Sequence, residues 1–222
     1  IRKDIYSSLG DSIAPREDGK LRVLVEGHLG VFFKNVEKTI ELCKQSKADE
    51  IWLLTGSNIT EYNGINKVFS KIPIFETPKI YRSCDVVIKL SYVEGMFGPP
   101  LEMFHCGGTA IVYDVTGYDE YIRHNENAFV VKTDDENQVV EYINLLKEDS
   151  SILKRLKAGA TKTANKWPDW ETQSIRFENT LKKIDNKTPD ITRELLEKTM
   201  KYIFNFYEIA ERYKLQIKNC IS

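Results

Sequence analysis

Apolar residues come in short unbroken runs along the first two thirds of this chain, separated by amphipathic stretches and by clusters of Gly, Pro, Asn and Asp. Runs this short, with several apolar at every position, mark strands of a parallel sheet covered on both faces. Strands are expected over residues 21–26, 50–55, 72–75, 85–90, 109–113 and 128–131. Residues 36–46 have helical spacing at Val36, Ile40 and Cys43, with Asn35 as N-cap. Thr77-Pro78 opens a short helix reaching Cys84, with Thr77 as N-cap and Pro78 at the first helical position. A helical turn over 118–123 and helices over 136–147 and 150–165 follow. This alternation predicts an α/β fold, a Rossmann-like doubly wound parallel sheet of about six strands with right-handed crossovers.

The ends read differently. Residues 1–20 are polar and hold a turn at Pro15-Arg16-Glu17-Asp18-Gly19, so they read as a linker. Trp167-Pro168-Asp169-Trp170 breaks the helical run, and another helix is expected over 171–183. A polar linker over 185–190 leads to a helical tail over 191–221, whose apolar positions include Leu196, Met200, Ile203, Tyr207, Ala210 and Ile217. Leu196, Ile203, Ala210 and Ile217 are spaced by seven, while Lys214 interrupts the stripe. Such a helix packs on its own domain or a neighbouring one, or self-associates. The expected organisation is a linker (1–20), one nucleotide-binding domain (21–184) and a helical extension (185–222). A start at Ile1 rather than Met fits a piece of a larger protein.

Composition narrows the function classes. A net charge of −1 offers no overall field for nucleic acid. No apolar stretch approaches the ~20 residues that a membrane helix needs, and the expected location is cytoplasmic. The four cysteines, Cys43, Cys84, Cys106 and Cys220, form no CxxC pair and read as reduced thiols.

The chemistry concentrates between the fourth and fifth expected strands, in Ser91-Tyr92-Val93-Glu94-Gly95-Met96-Phe97-Gly98-Pro99-Pro100-Leu101-Glu102. Pro99-Pro100 fits a helix start. Glu94 then stands at a strand's C-terminal end, and Glu102 about one turn into the helix. Ligands of open α/β sheets bind at that edge. A carboxylate accepts two hydroxyl hydrogen bonds, so the pair suits a ligand rich in vicinal diols such as ribose or a hexose. The N–H groups of Leu101 and Glu102 are expected to face a phosphate at the helix start. Spacing alone leaves open that these are two surface glutamates beside a loop. The loop after the first strand, Gly27-His28-Leu29-Gly30, leads to Lys34, a point charge suited to a diphosphate, and His28 can donate to a phosphate oxygen. It is not GxGxxG, and Thr55-Gly56 ends the second strand where a ribose-binding acid would stand, which disfavours a dinucleotide oxidoreductase. His105 reads as structural and His124 as exposed. No Asp-x-Asp triplet or His/Cys cluster has metal-ligand spacing. Asp134-Asp135-Glu136 reads as a helix N-terminus.

Taken together these residues resemble a known family. Glu94-Gly-Met-Phe-Gly-Pro-Pro-Leu-Glu102, then His105-Cys-Gly-Gly-Thr-Ala-Ile-Val112, is similar to the Glu-x7-Glu signature of retaining GT-B glycosyltransferases of the group 1, or family 4, type. Gly117-Tyr-Asp-Glu-Tyr-Ile122, Asn125-Glu-Asn-Ala-Phe-Val-Val131, Ser83-Cys-Asp-Val-Val87 and Trp170-Glu171 resemble further segments of that family, in order, across residues 21–183. The resemblance implies a single GT-B half, the C-terminal donor-binding domain, whose acceptor-binding N-terminal partner is missing. It implies that Glu102 binds the ribose, that Glu94 is the catalytic position, orienting the donor sugar rather than attacking it, and that the Phe97, Gly98, Pro99 and Leu101 backbone meets sugar or phosphates. Gly27, His28 and Lys34 fall where the family grips the diphosphate; His28 stands in place of the usual Arg. The implied substrate is a nucleotide-diphospho-sugar, used without a metal or other cofactor. The implied acceptor is a saccharide or lipid-linked precursor of a surface polysaccharide, reached in the cytoplasm or at the inner face of the membrane. Two alternatives remain at this point, a GT-B-like sugar-nucleotide epimerase and a non-catalytic nucleotide-binding or assembly module.

Overall fold

The computed structural model describes residues 1–185, 197–203 and 205. The chain divides into two compact units, Ile1–Thr172 and Gln173–Ser222. In the first, six parallel strands lie in the order β3-β2-β1-β4-β5-β6. They are β1 (Arg22–Glu26), β2 (Glu50–Thr55), β3 (Lys67–Ser70), β4 (Val86–Lys89), β5 (Thr109–Tyr113) and β6 (Phe129–Val131). Helices α1 (Val36–Gln45), α2 (Thr77–Ser83), α3 (Gly98–His105), α4 (Glu136–Glu148) and α5 (Ser150–Lys166) connect or cover them. The expected doubly wound α/β sheet is present. Its strand order reverses between β1 and β4, so the crevice a ligand enters opens at the C-terminal ends of those two strands. Val23, Leu24, Val25, Val86, Val87 and Ile88 are wholly buried at its centre.

Three local expectations are corrected. The third strand is Lys67–Ser70, not 72–75: Lys71 turns the chain at φ 52, and Pro73 lacks a ladder donor, leaving Ile74 and Phe75 exposed. In its place Phe69 packs beside Trp52, with ring centroids 5.3 Å apart. Asn35 precedes α1 but does not cap it. It is left-handed (φ 51), and its side-chain amide donates instead to the Leu90 carbonyl at 3.1 Å. Thr77 is already helical, and its hydroxyl donates back to the Ile74 carbonyl at 2.8 Å.

Residues 1–20 are not a free linker. Tyr6 is buried in the core. The Ile13 and Ala14 N–H groups donate to the Ser83 hydroxyl at 2.9 and 3.1 Å. The Arg16 guanidinium donates to the carbonyls of Tyr81, Cys84, Cys106 and Gly107 at 2.8–3.1 Å. One arginine thus ties together the C-terminal ends of α2 and α3, where carbonyls run short of helical donors.

Helix α6 (Trp170–Asp185) matches the helix expected over 171–183. The division between units falls inside it rather than at residue 184. Of the tail, residues 197–203 and 205 are helical; the rest of the expected 191–221 helix lies outside the described residues. Among the described residues no helix is long and apolar enough to cross a membrane. Cys43, Cys84 and Cys106 are free and buried, as expected, and Cys220 lies outside the described residues.

Candidate functional site

Three loops meet at the C-terminal edge of the sheet. The loop after β1 starts at Gly27, whose φ of +148 suits glycine and where a Cβ would stand 2.7 Å from the Val36 side chain. It is stitched to its neighbours by hydrogen bonds. The Leu29 N–H donates to the Ser57 hydroxyl after β2 at 2.9 Å, and the Tyr92 N–H after β4 donates to the Phe33 carbonyl at 2.8 Å. A 3-10 turn, Phe32–Lys34, then aims Lys34 across the crevice.

Lys34 meets Glu94 there, with Nζ 2.8 Å from Oε1. The residue read from the sequence as a diphosphate grip and the one read as orienting the donor sugar thus form an ion pair. The Glu94 side chain is only 9% exposed, so the pair is shielded from solvent. The loop that carries it rests on Gly117, at φ +88; a Cβ there would lie 2.3 Å from the Gly95 carbonyl oxygen. At Gly95 and Gly98 a Cβ would meet nothing within 4 Å, so the space beside both is open for a ligand.

The His28 ring is exposed and lies over Gly56 at the end of β2, where a Cβ would be 2.3 Å from Cε1. The expected helix-start donors also change. Because α3 begins at Gly98, the positions left free are those of Phe97, Gly98, Pro99 and Pro100. Two of these are prolines, so Phe97 and Gly98 carry the free N–H groups, while those of Leu101 and Glu102 fall within the helical ladder. The Phe97 and Leu101 side chains are wholly buried and fix the helix start from below. The Tyr121 hydroxyl donates to the Phe97 carbonyl.

Glu102 sits apart from Glu94, in a cleft of about 220 Å³ lined also by Tyr6, Glu26, Thr55, Gly56, Lys71, Thr77 and Tyr81. Burial raises its pKa above the usual carboxylate value. The negative charge of Glu26 adds to this, while hydrogen bonding from the Tyr81 and Tyr6 hydroxyls favours the carboxylate. The Tyr6 hydroxyl is also 3.1 Å from the Thr77 hydroxyl.

The sequence reading missed Glu26 and Lys89. Lys89 closes β4, is 2% exposed, and donates to both the Glu26 carboxylate (2.6 Å) and the Glu26 carbonyl (2.9 Å). A signal was available. Glu26 and Lys89 are the charged ends of two apolar runs, and the β1–β4 register, with Val25 opposite Ile88, sets them side by side. Elsewhere, His105 is buried, with Nδ1 donating to the Leu101 carbonyl at 2.8 Å, and exposed His124 packs beside Phe129 and Tyr142. Asp135 caps α4, accepting from the Gln138 N–H at 3.2 Å. Among the described residues no group of three or more His, Cys, Asp or Glu side chains is arranged to hold a metal ion.

A doubly wound half-domain with acidic and basic side chains converging at the switch point is the architecture of a nucleotide-binding domain. The family model of glycosyl transferases group 1 matches residues 17–163, and the chain belongs to that family. No curated protein is detectably similar in sequence. Among solved structures, the C-terminal domain of a group 1 glycosyl transferase, LpcC from Francisella tularensis, aligns over 77% of this chain and 99% of its own, with 18% identity and a TM-score of 0.61. Sucrose-phosphate synthase from Thermosynechococcus elongatus aligns over 85% of this chain, with 16% identity and a TM-score of 0.67. Anabaena HepE, solved in complex with UDP-glucose, aligns over 82%, with 16% identity and a TM-score of 0.67. The chain spans 52% of the synthase and 56% of HepE. At these identities the likeness is one of fold, a GT-B half.

Proposed function

We propose that this chain is the donor-binding half of a retaining glycosyltransferase, taking a sugar from a nucleotide-diphospho-sugar. The observation that supports this most is the division of labour at the switch point. Glu102 lines a cleft large enough for a nucleoside, and the Lys34–Glu94 pair stands beside it where diphosphate and sugar would follow. In this reading Glu102 accepts the ribose hydroxyls, and Glu94 accepts hydroxyls of the donor sugar and orients it. The C1–O bond to the diphosphate breaks as C1 bonds to the acceptor's hydroxyl oxygen, whose proton passes to the leaving diphosphate oxygen; the charge that develops on that oxygen is met by Lys34 and by the Phe97 and Gly98 N–H groups. No metal or other cofactor is assigned to this step. His28 lies over Gly56, one of the residues that line the cleft.

Anabaena HepE, with UDP-glucose in its structure, makes a uridine or related nucleoside diphosphate the first ligand to try. The acceptor is assigned to a second Rossmann-like half outside this chain. A saccharide or lipid-linked precursor of a surface polysaccharide is the acceptor class proposed, met in the cytoplasm or at the inner face of a membrane. The test is nucleoside diphosphate release by the full-length protein with and without candidate acceptors. Release that depends on acceptor, with retained anomeric configuration by NMR, is expected. Turnover without any acceptor would point to an epimerase and contradict the proposal.

A further inference from the structure

In the reading above, on which this inference rests, Lys34 serves the diphosphate, yet it already holds Glu94 at 2.8 Å. Shared between two anions, its single positive charge gives each less than a whole countercharge. Once Lys34 turns to the ligand, the shielded Glu94 carboxylate faces a newly arrived anion and needs a second cation. Lys89 supplies one. Its Nζ is 3.9 Å from Glu94 Oε1, the same oxygen that Lys34 holds at 2.8 Å. It is anchored on Glu26 by two hydrogen bonds and cannot be drawn into solvent, being 2% exposed. It also lies directly behind the Gly27 backbone, 3.5 Å from where a Cβ would stand. The four side chains thus form an alternating row, Glu26, Lys89, Glu94 and Lys34, running from the wall of the nucleoside cleft to the loop after β1.

We propose that Lys89 is a positioning residue that carries the standing countercharge of Glu94, so that Lys34 is free to hold the diphosphate of the donor. Lys89 touches neither donor nor reacting atoms. It acts through Glu94, in low dielectric, where a charge that close is strongly felt.

A double-mutant cycle on this chain tests the proposal, with UDP and, where UDP gives no heat, GDP, ADP and dTDP as calorimetric probes. Lys89→Met is expected to weaken binding of the nucleoside diphosphate about tenfold, because Glu94 then retains Lys34; adding Glu94→Gln to that variant should recover most of the loss, a non-additivity of the size seen for neighbouring charges. Lys89→Arg should bind nearly as the parent chain does. A merely structural role for Lys89 predicts no rescue by Glu94→Gln. Since Lys89→Met leaves Glu26 without its partner, Glu26→Val with Lys89→Leu removes the pair together and should show the same loss and the same rescue. Binding that is unchanged in Lys89→Met, or lost equally with and without Glu94→Gln, overturns the role given to Lys89 while leaving the donor site in place. No binding of any probe by the parent chain overturns the donor-site reading, and this inference with it.

Discussion

Glu102 shows how an environment prepares one side chain. Partial burial and the neighbouring Glu26 charge hold its pKa above the usual value, so protons compete for it at mildly acidic pH. The ionised form accepts two diol hydrogen bonds, and the protonated form has to spend a donor. Nucleotide affinity should therefore fall as pH drops through the raised pKa, starting above the ordinary glutamate range near about 4.3. In Glu102→Gln this acid limb should vanish, as measured by titrations between mildly acidic and neutral pH. Glu102→Ala should weaken nucleotide binding by about 1–3 kcal/mol, the scale of a lost charged hydrogen bond. Gly117 makes a different demand, since its backbone is left-handed and a Cβ there would run into the Gly95 carbonyl oxygen. Gly117→Ala is expected to cost about 1–3 kcal/mol of stability in denaturant melts. It should also weaken donor binding by moving the Glu94 loop, although Gly117 is no ligand residue.

At the scale of elements, most of the sheet was legible because its strands are buried on both faces and need no partner chemistry to be recognised. β2 and β5 fall where the apolar runs 50–55 and 109–113 placed them. β3 was misplaced because its residues are only partly buried, and the more apolar 72–75 run contains Pro73. The segment before β1 was the larger miss. Polar composition reads as a linker, yet the Arg16 guanidinium bonds four carbonyls, and Tyr6 supplies a wall of the cleft around Glu102. Arg16→Ala should lower stability by about 2–4 kcal/mol, because several buried carbonyls lose a charged donor at once; urea melts monitored by circular dichroism would measure it. The pairing of Glu94 with Lys34 was implicit in two motifs read separately. Their ion pair depends on the 3-10 turn that carries Lys34 across, and the residues that set its tilt give no periodic signal.

For the molecule as a whole, the sheet brings together residues far apart in sequence because β1 and β4 are neighbours at the point where strand order reverses. The residues of the candidate site hang from the C-terminal ends of these two strands or from α3: Glu26 ends β1 and Lys34 follows it, Lys89 ends β4 and Glu94 follows it, and Glu102 stands one turn into the helix. Family membership accounts for the sheet. Glu26 and Lys89 are features of this chain that only their neighbouring registers reveal. On the proposed reading this edge holds a nucleoside diphosphate without help from another domain. Isothermal titration calorimetry of the chain with UDP, GDP, ADP and dTDP at millimolar concentrations is the decisive measurement. Saturable heat with at least one of them, weakened in Glu102→Ala, is expected; no heat with any of the four would mean that the edge is no donor site.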